Sequence, residues 1–109
     1  MTEDQLQAKC YQKAFNSYPQ LRGFIFSVPN GGTRNKLEAM KLKATGLTPG
    51  IPDILIVWPK FVAIEFKTEI GIISPDQKKI IERWRSVGLT VYICRSENYF
   101  DAILEYLLT

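Results

Sequence analysis

The chain has 109 residues, 46% of them hydrophobic and 23% charged, which is the composition of a globular protein and the length of one ordinary domain. Its net charge of +3 permits contact with a polyanion but does not by itself predict one. Histidine is absent, which excludes serine–histidine–aspartate triads, histidine general acids and histidine metal ligands in this chain. Any chemistry must therefore come from carboxylates, lysine, hydroxyl groups or a bound metal.

Membrane segments and cysteine frameworks are not expected either. The longest apolar run, residues 54–58, is far shorter than the roughly 20 residues of a transmembrane helix, and the polar N-terminus carries no apolar signal segment. We therefore expect one domain over residues 1–109, in the cytoplasm, without a membrane partner or an organic cofactor. Cys10 and Cys94 fit neither a zinc spacing nor a disulfide framework, so we expect two buried thiols.

The chain begins with a helix signal and a strand signal. Thr2 and Gln5 form a capping-box pattern, and Pro19 ends the helix that they begin. Residues 24–28 make an apolar run, which predicts a strand followed by a turn-rich loop. The apolar residues at helical spacing in the first helix are Ala8, Tyr11, Phe15 and Tyr18.

Residues 33–45 predict a second, shorter helix that Gly46 ends. One of its faces carries Leu37, Met40 and Ala44. Its other faces carry two basic rows, since residues seven positions apart are roughly aligned along a helix. These rows are Arg34 with Lys41 and Lys36 with Lys43.

Two β-rich runs, residues 53–58 and 61–67, are separated by a proline and a lysine, which is typical of an antiparallel hairpin. Ser74 as N-cap, a proline at the first helical position and Gln77 as capping-box partner then predict a third helix, which ends at Gly88. Its apolar stripe consists of Ile80, Ile81, Trp84 and Val87.

The last elements are a strand over residues 89–94 and a terminal helix. The order α, β, α, β, β, α, β, α in so short a chain predicts an α/β fold with one mixed sheet flanked by helices. The residues at helical spacing in the terminal helix are Tyr99, Ile103, Tyr106 and Leu107.

The residues that can carry chemistry gather on the predicted hairpin. The period of two along a strand puts Glu65 and Lys67 on one face, and Asp53 can lie beside Glu65 when the two strands pair. Neighbouring carboxylates repel each other, and oxygen ligands without histidine or thiolate favour a hard cation, Mg²⁺ first with Mn²⁺ as a substitute. Lys67 can then orient or deprotonate an attacking water, or offset developing negative charge.

The alternative for these residues is structural, with Glu65 and Lys67 pairing on a partly solvated strand and Asp53 serving as a turn residue. Their order along the chain, however, resembles the PD-(D/E)xK nucleases. The motif of that superfamily appears here as Pro52, Asp53, Glu65, Phe66 and Lys67.

Further motifs extend the resemblance over nearly the whole chain. They are Val28-Pro29-Asn30-Gly31-Gly32, Arg34, Gly50-Ile51-Pro52-Asp53, and Ser74 with Gln77. Together they resemble the virus-type replication-repair nuclease (VRR-NUC) domain, especially its small stand-alone phage members. The resemblance implies a restriction-endonuclease-like αβββαβ core and a magnesium-dependent DNA endonuclease, acting in the host cytoplasm if the protein is viral.

The resemblance also implies metal ligands, namely Asp53, Glu65 and the backbone carbonyl of Phe66. The family places an acidic residue of the first helix near the metal, and Glu3 is the candidate with Asp4 as the alternative. Acidic residues in a first helical turn are also favoured by the helix dipole alone.

Gln77 matches a glutamine of the family's following helix, although its capping-box position explains it equally well. DNA contact is implied for the basic rows, and a close phosphate approach for the glycine-containing loop, because glycine lacks a side chain. A solvated helix face and a plain turn are the alternatives. The residues concerned are Asn30, Gly31, Gly32, Arg34, Lys36, Lys41 and Lys43.

The stand-alone family members imply a homodimer acting on branched DNA such as four-way (Holliday) junctions, since a two-fold dimer offers two sites to two strands. One alternative is a nuclease that cuts flaps, ends or plain duplex as a monomer. Another, from a different class, is a catalytically inactive DNA-binding module with the same fold.

Overall fold

A computed structural model describes residues 1–29 and 35–109 of the chain. The predicted order of helices and strands is confirmed, with a short 3₁₀ helix (η1) after the first helix in addition. In chain order the elements are α1 Glu3–Ser17, η1 Pro19–Leu21, β1 Ile25–Ser27, α2 Lys36–Ala44, β2 Ile54–Ile56, β3 Val62–Phe66, α3 Pro75–Ser86, β4 Thr90–Cys94 and α4 Glu97–Leu108.

Within the described residues the strands form a four-stranded sheet in the order β1-β2-β3-β4. The pairs β1–β2 and β2–β3 are antiparallel, whereas β3–β4 is parallel and α3 provides the connection. The predicted mixed sheet is therefore confirmed. All five residues of β3 are buried, because helices cover both faces of this central strand.

The larger core lies between the sheet and helices α1 and α4. Val62, Ile64 and Phe66 of β3 point into it, and the rings of Phe66 and Phe100 of α4 lie 6.2 Å apart. The smaller core lies on the opposite face, where Ala63 packs with Ile81 of α3. Alternate residues of β3 thus serve two different cores, as the period of two along a strand requires.

The buried face of α1 differs from the predicted stripe. Leu6, Cys10 and Ala14 are buried, while Ala8 and Phe15 are exposed. Two of these three buried residues are small, so the helix can approach the sheet and α4 closely. The larger aromatic rings of the predicted stripe lie at the edge of this contact or outside it.

A similar shift occurs in α4. Its buried face consists of Phe100, Ile103, Leu104 and Leu107, whereas Tyr99 and Tyr106 remain exposed. A tyrosine ring at the boundary keeps its hydroxyl group in water, which favours this orientation over full burial. In α3, Ile81 of the predicted stripe is buried and Val87 is exposed.

Helix α2 begins at Lys36, later than predicted, because the Asn35 side chain accepts the backbone N–H of Glu38 and caps the helix there. No residue of α2 is buried. Its apolar face is therefore open, with Leu37 80% and Met40 61% exposed. The earlier positions Thr33 and Arg34 lie outside the described residues.

Cys10 and Cys94 are both buried and both free thiols, as expected. The Cys94 thiol donates to the carbonyl oxygen of Ser96 at 3.2 Å. Among the described helices, none has the length and apolar character that crossing a membrane would require.

Candidate active site

The pairing of β2 with β3 brings two acidic residues together. Ile54 lies opposite Ile64, so the same register extended by one residue places Asp53 opposite Glu65. Asp53 Oδ2 accepts the backbone N–H of Phe66 at 2.8 Å, and the Asp53 carbonyl oxygen accepts the N–H of Val28 at 2.9 Å. These bonds hold Asp53 at the sheet end although it lies outside β2.

Burial governs the electrostatics of the two acids. Glu65 is 1% exposed, and its carboxyl group is hydrogen-bonded to that of Asp53. Burial, followed by the nearby charge of Asp53, raises the pKa of Glu65 to about 8. Burial also raises the pKa of Asp53, although the Phe66 N–H opposes this shift. In the cation-free protein the two carboxyl groups therefore share a proton and titrate as a pair.

Lys67 follows β3 directly and is 6% exposed. Its Nζ lies 3.9 Å from Glu65 Oε2 and 3.7 Å from Glu3 Oε1. Its backbone N–H donates to the Cys94 carbonyl oxygen at 3.0 Å, which extends the β3–β4 ladder and fixes the direction of the side chain. A single ammonium group is thus shared between an acid of β3 and an acid of α1.

The first turn of α1 contributes Glu3 to this group. Glu3 contacts Lys67, whereas Asp4 lines a neighbouring groove of about 560 Å³ between α1 and the sheet. The Thr2–Gln5 capping box sets where the helix begins and therefore which acid faces the sheet.

Gln77 caps α3, as its capping-box position predicted, and also contacts Glu65. Its Oε1 accepts the backbone N–H of Ser74 at 2.9 Å, which completes the capping box of α3. Its Nε2 donates to Glu65 Oε2, also at 2.9 Å. The N-terminus of α3 therefore orients the Glu65 carboxylate through the same amide that caps the helix.

Gly50 allows α3 to approach the hairpin closely. The sequence did not predict this contact between Gly50 and α3. The residue has a φ of +88°, and a Cβ there would collide with the backbone of Asp76 and lie 2.8 Å from the Gln77 nitrogen. Only glycine permits both this φ and this backbone approach. The sequence signals that could have indicated this contact are a glycine shortly before Asp53 and a capped helix after the hairpin.

The predicted DNA-contact residues lie on α2 or outside the described residues. Lys36, Lys41 and Lys43 are all exposed on α2. They flank the open apolar face, with Lys36 and Lys43 along one edge and Lys41 along the other. Asn30, Gly31 and Arg34 belong to the segment that lies outside the described residues.

The paired acids fit a hard divalent cation. Two carboxyl groups that must share a proton are short of positive charge, and their oxygen atoms match the ligand preference of Mg²⁺. Asp53, Glu65 and the Phe66 carbonyl oxygen are the groups that would hold it. Among residues 1–29 and 35–109, no three acidic, histidine or cysteine side chains gather closely enough to form a complete ligand set. Water or substrate oxygens would complete the shell, as is usual for Mg²⁺.

Comparisons with known proteins place the chain in a family. Residues 2–98 match the VRR-NUC domain. A solved structure described as a VRR_NUC domain protein superimposes with a TM-score of 0.80 at 22% sequence identity, covering 99% of this chain and 88% of the other. No curated protein matches the chain significantly.

The fold and the match over residues 2–98 therefore define a nuclease of the PD-(D/E)xK type, with DNA as its substrate. Within that class, the chain belongs to the VRR-NUC domain family. The structural neighbour shares the α/β fold with its mixed sheet and flanking helices.

The raised pKa of Glu65 predicts how the stability of the cation-free protein depends on pH. The folded state holds a proton on Glu65 up to about pH 8, whereas the unfolded state releases it near the ordinary value of 4.5. Stability should therefore fall as pH rises between these values. Thermal unfolding in chelator from pH 5 to 8.5 measures this slope, and E65Q should flatten it and be the more stable protein at pH 8.

The exposed Glu105 on α4 provides the matched control, since E105Q removes a carboxylate at the surface. This variant should keep the wild-type slope. Equal slopes for E65Q and the wild type would mean that Glu65 does not bind the proton.

The contact of Gly50 with α3 predicts that G50A destabilises the protein more than G88A. Both glycines have positive φ, so each alanine costs about 1 kcal/mol in backbone strain. Gly88 has nothing within 4 Å of an added Cβ, whereas Gly50 faces the α3 backbone. G50A should lose roughly 1–3 kcal/mol more than G88A in urea unfolding, because backbone must move. Equal losses would contradict the close packing.

Proposed function

We propose that this protein is a magnesium-dependent DNA endonuclease, with Mn²⁺ as a substitute, in which Asp53, Glu65 and the Phe66 carbonyl oxygen bind the metal. The observation that carries the proposal is the buried Glu65 carboxyl group, paired with the half-buried Asp53 and lying beside the Lys67 ammonium group. A catalytically inactive binding module has no need for two acids at this depth. We place its action in the cytoplasm, that of the host if the protein is of the phage type.

Each residue of the group has a distinct task in phosphodiester hydrolysis. When bound, a divalent cation supplies Lewis acidity and lowers the pKa of water. Asp53 and Glu65 place their carboxylates side by side at the end of the sheet, where they would bind the cation. Gln77 keeps the Glu65 carboxylate oriented. Lys67 positions the attacking water and offsets the negative charge that develops on the phosphate. Glu3 keeps the Lys67 ammonium group directed toward the site.

We further propose that the protein acts on branched DNA, such as four-way junctions, as a homodimer. The open apolar face of α2 supports the dimer, since Leu37 and Met40 are exposed on a helix with no buried residue. Such a face is a common site of protein association. Light scattering of the purified protein, with cross-linking in the same preparation, measures whether two copies associate.

The substrate experiment compares four-way junction, flap, single-stranded and fully paired duplex DNA of matched sequence, each with Mg²⁺ and with chelator. The proposal expects cleavage that requires the cation and is fastest on the junction. Equal cleavage of flap, end and duplex substrates by a monomer would favour the simpler nuclease. Binding to every DNA substrate without cleavage would favour a catalytically inactive DNA-binding module.

Substitution of the two acids should separate cleavage from binding. D53A and E65A, with the isosteric D53N and E65Q, should lower the cleavage rate roughly a thousandfold, since the cation contributes several kcal/mol and each 1.4 kcal/mol is about tenfold. Q77A should lose about 10- to 100-fold, as residues that orient metal ligands do. DNA affinity should stay near the wild-type value, because the α2 lysines are separate from the acids.

Single-turnover rates and fluorescence anisotropy measure the two quantities. E105A serves as the control, since it removes an exposed acid of α4 and should cut at the wild-type rate. Normal cleavage by both D53N and E65Q in Mg²⁺ would overturn the site assignment.

Lys36, Lys41 and Lys43 are proposed to contact the DNA backbone, together with Asn30, Gly31 and Arg34. Each phosphate contact contributes about 0.9 to the slope of log affinity against log salt on duplex DNA. The triple variant K36A/K41A/K43A should therefore bind more weakly and show a slope smaller by roughly 2 to 3 units. K60A is the control, because Lys60 lies over the Tyr106 ring at the opposite end of the β2–β3 hairpin. An unchanged slope in the triple variant would mean that these lysines do not contact the DNA backbone.

A further inference from the structure

The loop between β3 and α3 exposes two isoleucines beside the candidate active site. Ile70 is 89% and Ile72 is 85% exposed, which makes them the two most exposed large apolar side chains among the described residues. A single exposed apolar residue is ordinary on a protein surface. Two exposed isoleucines in one short loop, next to the candidate active site, form an apolar edge. Such an edge is a candidate binding surface.

The loop is held in place, so this exposure is not the result of loose packing. Arg95 Nη1 donates to the carbonyl oxygens of Thr68 and Gly71, both at 2.8 Å. The Gly71 N–H donates to the Thr68 carbonyl oxygen at 3.1 Å, which closes the turn. Ile73, the next residue after the edge, packs into the smaller core. The backbone is thus fixed from both ends while Ile70 and Ile72 point outward.

The loop that carries the apolar edge lies beside the Glu3–Lys67 ion pair. A Cβ on Gly71 would be 3.5 Å from Glu3 Oε2, and Glu3 Oε1 is 3.7 Å from Lys67 Nζ. Successive nucleotides of one strand are spaced only about 3.4 Å along a duplex axis. A DNA strand with a phosphate at Lys67 therefore brings its neighbouring nucleotides to the loop.

The side chains of the loop favour contact with the base of a nucleotide over contact with its phosphate. Isoleucine offers no hydrogen bond to a phosphate, and the exposed carboxylate of Glu69 between Lys67 and the edge repels one. The face of a base is apolar and fits such a surface. Ile70 also lines a groove of about 610 Å³ together with Leu6, Arg95 and the carboxylates of Glu69 and Glu97, which likewise disfavour a phosphate there.

We propose that Ile70 and Ile72, in the loop held by the Arg95 hydrogen bonds, pack against bases beside the scissile phosphate and hold them unstacked, and so favour DNA whose base stacking is already weakened, as at a branch point. This inference rests on the proposed function and names a determinant of its substrate choice. Apolar side chains of this kind separate base steps in other DNA-binding proteins, and the unstacking costs a few kcal/mol. At a branch point the base stacking is already weakened, so this free-energy cost is lower.

A second copy of the chain is the less fitting partner for this edge. Two isoleucine side chains cover far less than the roughly 800 Å² per partner of a stable protein interface. The neighbouring carboxylates of Glu3 and Glu69 would also face their own counterparts or require cations on the other copy.

The experiment uses the full chain with I70S/I72S, the conservative I70L/I72L, and V87S as a matched control. Val87 is 75% exposed at the far end of α3, so V87S removes an equally open apolar group away from the acids. The probe is a three-way DNA junction with 2-aminopurine at the branch, whose fluorescence rises when the base leaves the stack. Fluorescence is read in chelator at saturating protein, and cleavage rates in Mg²⁺ are compared for the junction and the paired duplex.

We expect the wild type, V87S and I70L/I72L to raise the fluorescence and to prefer the junction. I70S/I72S should keep its melting temperature and its affinity within about threefold, lose the fluorescence rise, and lose about tenfold in preference, a factor that corresponds to about 1.4 kcal/mol. An unchanged fluorescence rise and preference in I70S/I72S would overturn the proposal. So would a change in molar mass confined to I70S/I72S, which would assign the edge to a second copy.

The two proposals fail in different ways. If the wild type cuts no DNA in Mg²⁺, the proposed function is wrong, while the fluorescence still reports whether the isoleucines meet bases. If the wild type cuts and I70S/I72S discriminates normally, only the role of the isoleucines is wrong.

Discussion

Two acids held opposite each other at the end of neighbouring buried strands are the constraint on which the rest of this structure depends. Asp53 and Glu65 cannot both ionise in that position without compensation, because burial disfavours each charge and each charge disfavours the other. The Phe66 N–H, the Gln77 amide and the Lys67 ammonium group supply part of that compensation. A shared proton, or a bound cation in its place, supplies the remainder.

Some of the groups around the acids come from the helices α3 and α1, so the site also constrains how these helices pack. Gln77 must cap α3 and reach Glu65 at once, which fixes the N-terminus of α3 against the sheet end. Gly50 permits that closeness, since any side chain there would meet the α3 backbone. On the other side, Glu3 and the N-terminus of α1 complete the surroundings of Lys67. The acid pair and the packing of the helices therefore depend on the same contacts.

Features that can recognise a substrate lie outside this rigid group. Helix α2 buries no residue and presents its lysines to solvent on either side of an apolar face. The loop after Lys67 is instead fixed by Arg95 and exposes Ile70 and Ile72. In the proposed function, the lysines of α2 contact the phosphate backbone and the isoleucines contact bases. Such a division allows affinity and substrate choice to change without changing the acid pair.

The sequence by itself determined the order of the elements and the meeting of Asp53, Glu65 and Lys67. Capping boxes, a two-residue break between β-rich runs and the period of two are local signals, and local signals suffice when the partner strand is the next one in the chain. Tertiary structure alone decided which face of α1 is buried, where the small side chains of Cys10 and Ala14 are in the core and the more prominent aromatic residues are not. In α4 the predicted Ile103 and Leu107 are buried, but the structure added Phe100 and Leu104 in place of the two tyrosines. It also decided that Glu3 rather than Asp4 meets Lys67, that Gly50 contacts α3 and that α2 stays open. These outcomes depend on contacts between residues distant in the chain, for which no spacing along the sequence provides a signal.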